Sequence, residues 1–180
     1  LLNESGRFLD ATPELAPDLT VTGLVTSALW SDADQDGWLD LLVTNEWGSV
    51  RLYHNREGHL VDATEEVGFA QYLGWWNSIT GRDIDNDGDI DYAVANVGLN
   101  TKYHADPNNP VLLYYGNFGL KGKMRLVEAS YEGEEIYPIR GRSCSTTAIP
   151  HLGLEFESFH EFANASLDEI YTSDRLERAE

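Results

Sequence analysis

The sequence predicts an all-β protein built from repeated four-stranded antiparallel units, with a small helical segment at its C-terminal end. Three observations carry that prediction. The chain repeats itself at an offset of 51 residues. The repeated segments hold short apolar runs bounded by turn residues, too short for helices. After about residue 142 the apolar residues take helical spacing instead.

The repeat is seen by setting residues 23–45, "GLVTSALWSDADQDGWLDLLVTN", over residues 74–96, "GWWNSITGRDIDNDGDIDYAVAN". Nine positions are identical, among them Gly23/Gly74, Ser27/Ser78, Val43/Val94 and Asn45/Asn96. Upstream, "FLDAT" (8–12) echoes "LVDAT" (60–64). A period in this range signals stacked supersecondary units or propeller blades. "LDLLVTN" (39–45) and "IDYAVAN" (90–96) read as strands. "SVRLYHN" (49–55) alternates and is followed by "REG", a hairpin turn, with "HLVDAT" (59–64) as the returning strand. Strand, acidic loop, strand, turn, strand, turn, strand makes one antiparallel four-stranded blade.

The remaining identities fall in two acidic loops of the form D-x-D-x-D-G-x-x-D. Two like charges about 5 Å apart repel by roughly 3 kcal/mol at an effective dielectric near 20, so several such pairs need a counter-charge. Asp32, Asp34, Asp36 and Asp40 in one loop, and Asp83, Asp85, Asp87 and Asp91 in the other, supply hard oxygen ligands. That donor set suits calcium, which takes about 6–8 oxygens, and predicts two sites. Gly37 and Gly88 allow the bend that returns the last carboxylate to the ion. Trp38 and Asp89 would each offer a backbone carbonyl, which leaves the Asp89 side chain outside the ligand set. An EF-hand requires an acid at position 12 between two helices; here that position is Val43 or Val94, with strand-like flanks.

The pattern Gly…Ser…Asp-x-Asp-x-Asp-Gly-x-x-Asp…Val-x-Asn resembles the FG-GAP/VCBS repeats of integrin-α-like β-propellers. "GWWNSITGRDIDNDGDIDYAVANVGLNTKY" (74–103) and "YPIRGR" (137–142) look most like bacterial members. The resemblance implies a partial β-propeller whose loops join the first two strands of each blade and bind calcium through those eight aspartates. It also exposes a departure. "NFGLKGKMR" (117–125) has the length of a third loop, with Gly122 in place. Its ligand positions carry Asn117, Gly119, Lys121 and Arg125, which predicts a loop without metal.

On this reading residues 1–142 hold two clear blades and part of a third, and residues 143–180 form a helical appendage packed on them. In that appendage Phe156, Phe159, Phe162, Leu167, Ile170 and Tyr171 recur at helical spacing, and Ser166 with Glu169 fits a capping box. A propeller needs about 4–8 blades, so either neighbouring sequence or self-association completes the ring. The opening "LLNESGRF" has no initiator Met and reads as a piece of a longer polypeptide.

Composition narrows the function. The net charge of −19 disfavours nucleic acids and anionic membrane surfaces as partners. No apolar run approaches the ~20 residues that span a bilayer. Cys144 is the single cysteine, read as a small buried residue, so a disulfide within the chain and a Cys-based zinc site are excluded. There is no G-x-S-x-G, H-E-x-x-H or P-loop pattern, and no enzyme is predicted. His54 and His59 flank the "REG" turn and are expected to face solvent. Trp75 and Trp76 are either blade core or an aromatic platform for a sugar or protein ligand. The polar stretch 98–110 is a recognition loop or a plain connector.

These features predict a calcium-stabilised binding or scaffold module that contacts protein or carbohydrate. The alternatives are the propeller part of a polysaccharide-acting enzyme, or a purely structural segment. Family resemblance and millimolar extracellular calcium point to an extracellular, cell-surface or periplasmic location.

Overall fold

The computed structural model describes residues 1–98, 100–119 and 122–179. The chain divides into two compact units, Leu1–Gly98 and Leu99–Glu180. The boundary expected at residue 142 lies inside the second of them.

Unit 1 opens with the hairpin β1 (Leu2–Glu4) and β2 (Arg7–Leu9). A short helix, α1 (Thr12–Leu15), and a 3-10 turn (Pro17–Val21) follow. The first repeat then supplies β3 (Leu24–Ser31), β4 (Asp40–Glu46), β5 (Gly48–Ser49), β6 (Arg51–Arg56) and β7 (His59–Asp62). Strands β3, β4, β6 and β7 form a four-stranded sheet in that order, all antiparallel. This is the blade the sequence predicts. The turn between β6 and β7 is Glu57–Gly58, both at positive φ, which is the two-residue geometry that matches strand twist. Asn55 Oδ1 accepts from Gly58 N across it at 2.8 Å.

Strand β4 is buried on both faces. One face packs Leu41 and Val43 with Tyr53, Leu19 and Leu60. The Tyr53 hydroxyl, fully buried, is satisfied by Thr22 Oγ1 at 2.8 Å, as a buried phenol must be. On the other face Leu42 lines an apolar recess of about 150 Å³ with Trp76, Ile79 and Val94.

The second repeat is shorter than predicted. After β8 (Leu73–Gly74) come β9 (Trp76–Arg82) and β10 (Asp91–Asn96), which pair with each other as a two-stranded sheet. The expectation of two clear blades is therefore corrected to one blade and one hairpin. Among the described residues no third strand joins that hairpin. Pro107 and Pro110 lack the N–H that a ladder needs, and Asp106 accepts from Asn108 N and Asn109 N in a tight polar turn. Strand β8 pairs instead with β5, Gly48 opposite Gly74 and Ser49 opposite Leu73. That register makes Trp47 and Trp75 the next pair, and their rings lie 5.7 Å apart.

Among the described residues, unit 2 is a meander of β11 (Leu112–Gly116), β12 (Arg125–Glu132) and β13 (Glu135–Pro138), followed by five short helices. These are α2 (Arg142–Ala148), α3 (Leu152–Glu155), α4 (Phe159–Asn164), α5 (Leu167–Tyr171) and α6 (Ser173–Glu177). Capping boxes start both α4 (Ser158, Glu161) and α5 (Ser166, Glu169). The predicted stripe is largely buried: Phe162, Leu167, Ile170 and Tyr171 share one core with Phe118, Val127 and Ala129 of the meander region. Phe159 is the exception, exposed under the Arg142 guanidinium. Cys144 is exposed, not buried as expected, because α2 turns Ser145 inward instead. The five sheets among the described residues do not close into a ring.

Candidate metal centre

Each acidic loop is the hairpin connection of a strand pair: residues 32–39 join β3 to β4, and residues 83–90 join β9 to β10. The two loops share four hydrogen bonds, and the second adds one from Asn86 N to Asp83 Oδ1 at 2.7 Å. Asp32 Oδ2 accepts from Gly37 N and Asp83 Oδ2 from Gly88 N, both at 3.1 Å. Asp34 Oδ1 takes Asp36 N, as Asp85 Oδ1 takes Asp87 N. Asp36 Oδ1 takes Trp38 N, as Asp87 Oδ1 takes Asp89 N. Asp40 Oδ2 closes the first loop on Ala33 N at 2.9 Å, and Asp91 Oδ2 closes the second on Ile84 N at 3.0 Å. Gly37 and Gly88 sit at φ +89° and +101°, where a side chain would be strained.

Carboxylate oxygens of these residues also converge. Asp32, Asp34 and Asp36 bring ligand atoms within 4.8 Å of one another, and so do Asp83, Asp85 and Asp91. Asp32 Oδ1 is buried with no hydrogen-bond partner. A buried, unsatisfied carboxylate oxygen among like charges is costly unless a cation completes it. The donor set fits calcium, whose ligands are oxygens on a flexible frame. When bound, the ion would supply the positive charge that these groups otherwise lack.

Partial compensation comes from within the chain. Arg56 Nη1 reaches Asp34 Oδ2 at 2.9 Å and Asp36 Oδ2 at 3.4 Å from the solvent side. Burial works against ionising Asp34, but the hydrogen bonds from Arg56 and Asp36 N, with the nearby positive charge, together outweigh it, so its pKa falls below the usual carboxylate value. In the second loop Asp89 accepts from Gln35 of the first loop, and Gln35 Nε2 also lies 3.4 Å from Gly88 O. The Asp89 side chain is thus engaged by the neighbouring loop. The Tyr92 hydroxyl donates to Ser31 Oγ at 2.7 Å beside the first loop. Its pKa is raised by burial, against the Ser31 bond, with help from the negative field of Asp40 and Asp32.

The loops differ at their closing aspartates. Asp91 is exposed, whereas Asp40 is fully buried and accepts a second bond from Asn55 N at 2.8 Å. The β4–β6 register, Leu41 opposite Tyr53, places His54 next across from Asp40. His54 is therefore inside, 7% exposed, and not facing solvent as the sequence suggests. Its Nδ1 lies 3.3 Å from Asp40 Oδ1 and 3.5 Å from Asp34 Oδ2. His54, Asn55, Arg56 and Gln35 escape motif reading because the third strand and the neighbouring loop bring them in. The alternation of "SVRLYHN" is the one signal that could have flagged His54.

Trp75 and Trp76 are both half-buried, between full blade core and a bare platform. Trp75 packs on Trp47, and Trp76 lines the recess while its Nε1 donates to Tyr72 O at 3.1 Å. In unit 2 the loop from β11 to β12 has the connection type of the acidic loops, with Gly122 at φ +66°. Asn117 Oδ1 accepts from Gly119 N there, and Arg125 Nε donates to Ala148 O. Lys121 lies outside the described residues.

Residues 32–94 match the family model of the FG-GAP-like repeat. The match begins at the first aspartate of the first loop and ends within β10, so it contains both loops. No curated protein and no solved structure gives a significant match.

Proposed function

We propose that this chain, which carries an FG-GAP-like repeat over residues 32–94, is a calcium-stabilised binding or scaffold module of an exported or cell-surface protein. The repeat makes a propeller-like binding module the natural class. The observation that supports calcium is the shared hydrogen-bond plan of two loops, each converging three carboxylates. One ion per loop would join the two strands of its hairpin. Asp32, Asp34, Asp36 and Asp40 would hold the first, and Asp83, Asp85, Asp87 and Asp91 the second.

Millimolar extracellular calcium would keep even weak sites filled, which favours an external location. Among the described residues no helix is long and apolar enough to cross a membrane. The module's partners are protein or glycan, met through its loops, and it performs no reaction of its own. Further blades or a second copy would complete the ring.

Thermal melting in calcium and then in excess chelator tests this. Calcium at about 100 times its Kd should add about 2.7 kcal/mol per site. A lower Tm in chelator, restored by calcium and weakened in Asp87→Ala, is the expected result. An unchanged Tm, with no calcium bound, would overturn it.

A further inference from the structure

The two loops share a backbone plan, and the first has an imidazole nitrogen aimed into it. His54 Nδ1 is buried and has no hydrogen-bond partner, although two carboxylates lie within 3.5 Å. A proton on Nδ1 lines up with neither carboxylate. A bare lone pair there faces two acceptor oxygens, which repels. Both arrangements waste a polar atom that folding has removed from water. A metal ion in the space between the three atoms satisfies all of them.

We propose that Asp34, Asp40 and His54 form a nitrogen-bearing site for a borderline divalent metal such as zinc, distinct in preference from the all-oxygen second loop. The proposal rests on the reading that the acidic loops hold cations, and refines it: in the first loop zinc would take Asp34 and Asp40 in place of calcium. The spacing fits. Two ligands each about 2.0–2.1 Å from a tetrahedral ion lie about 3.3–3.4 Å apart. His54 Nδ1 is 3.3 and 3.5 Å from the two oxygens, and all three ligand atoms fall within 4.8 Å of one another.

The surroundings fit as well. Metal-bound carboxylates are normally held by outer hydrogen bonds. Asp40 accepts from Ala33 N and Asn55 N, and Asp34 from Arg56. Imidazole shifts selectivity toward zinc, cobalt or copper, whereas carboxylate alone suits calcium and magnesium. The second loop's cluster, Asp83, Asp85 and Asp91, offers oxygen only.

The test follows imidazole nitrogen resonances of the ¹⁵N-labelled full chain at fixed pH as Zn²⁺ is added in the presence of Ca²⁺. Calorimetry of the wild type and His54→Phe runs in parallel. The expected result is one zinc per chain that moves the His54 Nδ1 resonance. His54→Phe should bind that zinc more than tenfold more weakly, since even outer partners of a metal are worth about 10–100-fold. Calcium at the second loop should be unchanged. Zinc binding that leaves the His54 nitrogen unmoved would overturn the proposal, and the wild-type spectrum decides this even if the variant fails to fold. Calcium in both loops with a silent His54 overturns this inference alone. Neither metal binding to either loop overturns the cation reading, and this inference with it.

Discussion

Gln35 Nε2 donates to the Asp89 carboxylate, so the crown of the first acidic loop is tied to the rim of the second. Both residues sit in hairpin connections that the repeat places side by side. The bond is exposed, yet it spans 54 residues of sequence. It gives two like-charged loops one neutral point of attachment.

Gln35→Glu replaces that attachment with a like-charge pair. A loss of about 1 kcal/mol is expected from the broken charge-assisted bond and the new repulsion. Urea unfolding should show the larger loss in chelator and a smaller one in calcium, because a bound cation would mask the added charge. Equal losses in both conditions would mean that no cation lies near Asp89.

The closing aspartates should respond unequally to the same substitution. Asp40→Asn puts an amide N–H₂ against either Ala33 N or Asn55 N, in a fully buried place. Asp91→Asn can turn its amide toward water. In chelator, where no metal contributes, Asp40→Asn should cost about 2–3 kcal/mol and Asp91→Asn under about 1 kcal/mol. Denaturant titration of the two variants checks the difference.

Unit 2 carries its own acid-sensitive lock. Glu128, nearly buried on β12, accepts from Lys102 Nζ at 3.0 Å, Tyr103 Oη at 2.8 Å and Arg140 Nε at 3.1 Å. Burial opposes its ionisation, but the bonds from Arg140, Lys102 and Tyr103 win and hold its pKa at about 2, against an ordinary 4.5. The folded value is the lower one. The stabilisation is therefore complete above pH 4.5 and is lost as pH falls toward about 2. Glu128→Gln should cost about 2 kcal/mol at neutral pH and flatten the acid limb in that window. A wild-type acid limb in the variant would assign the effect to other carboxylates.

The hairpins and their loops were legible because their causes are local. Glycines at positive φ, alternating aspartates and a two-residue turn act within a few residues of themselves. The same holds for the Ser166–Glu169 capping box. What escaped depends on contacts distant in sequence. His54 lies five residues before the exposed His59, but cross-strand pairing with the start of β4 takes it inside. Cys144 and Ser145 are neighbours on one helix, and only packing against Tyr171 decides which turns inward. The truncation of the second repeat also lay beyond the motif, since the identities end at Asn96 and prolines take over the chain's course.

The pairing of β5 with β8 has an optical consequence. It brings the indoles of Trp47 and Trp75 to 5.7 Å at an interplanar angle of 39°. Excited states of two chromophores that close are shared, and the tilt gives the shared transition a handedness. The pair therefore contributes a coupled circular dichroism band, strongest at the intense far-ultraviolet indole transition, that neither tryptophan has alone. That band exists only while residue 47 of the first repeat meets residue 75 of the second. It vanishes when the repeats part, even if the four-stranded sheet survives, so unit 1 contains a built-in gauge of its own closure.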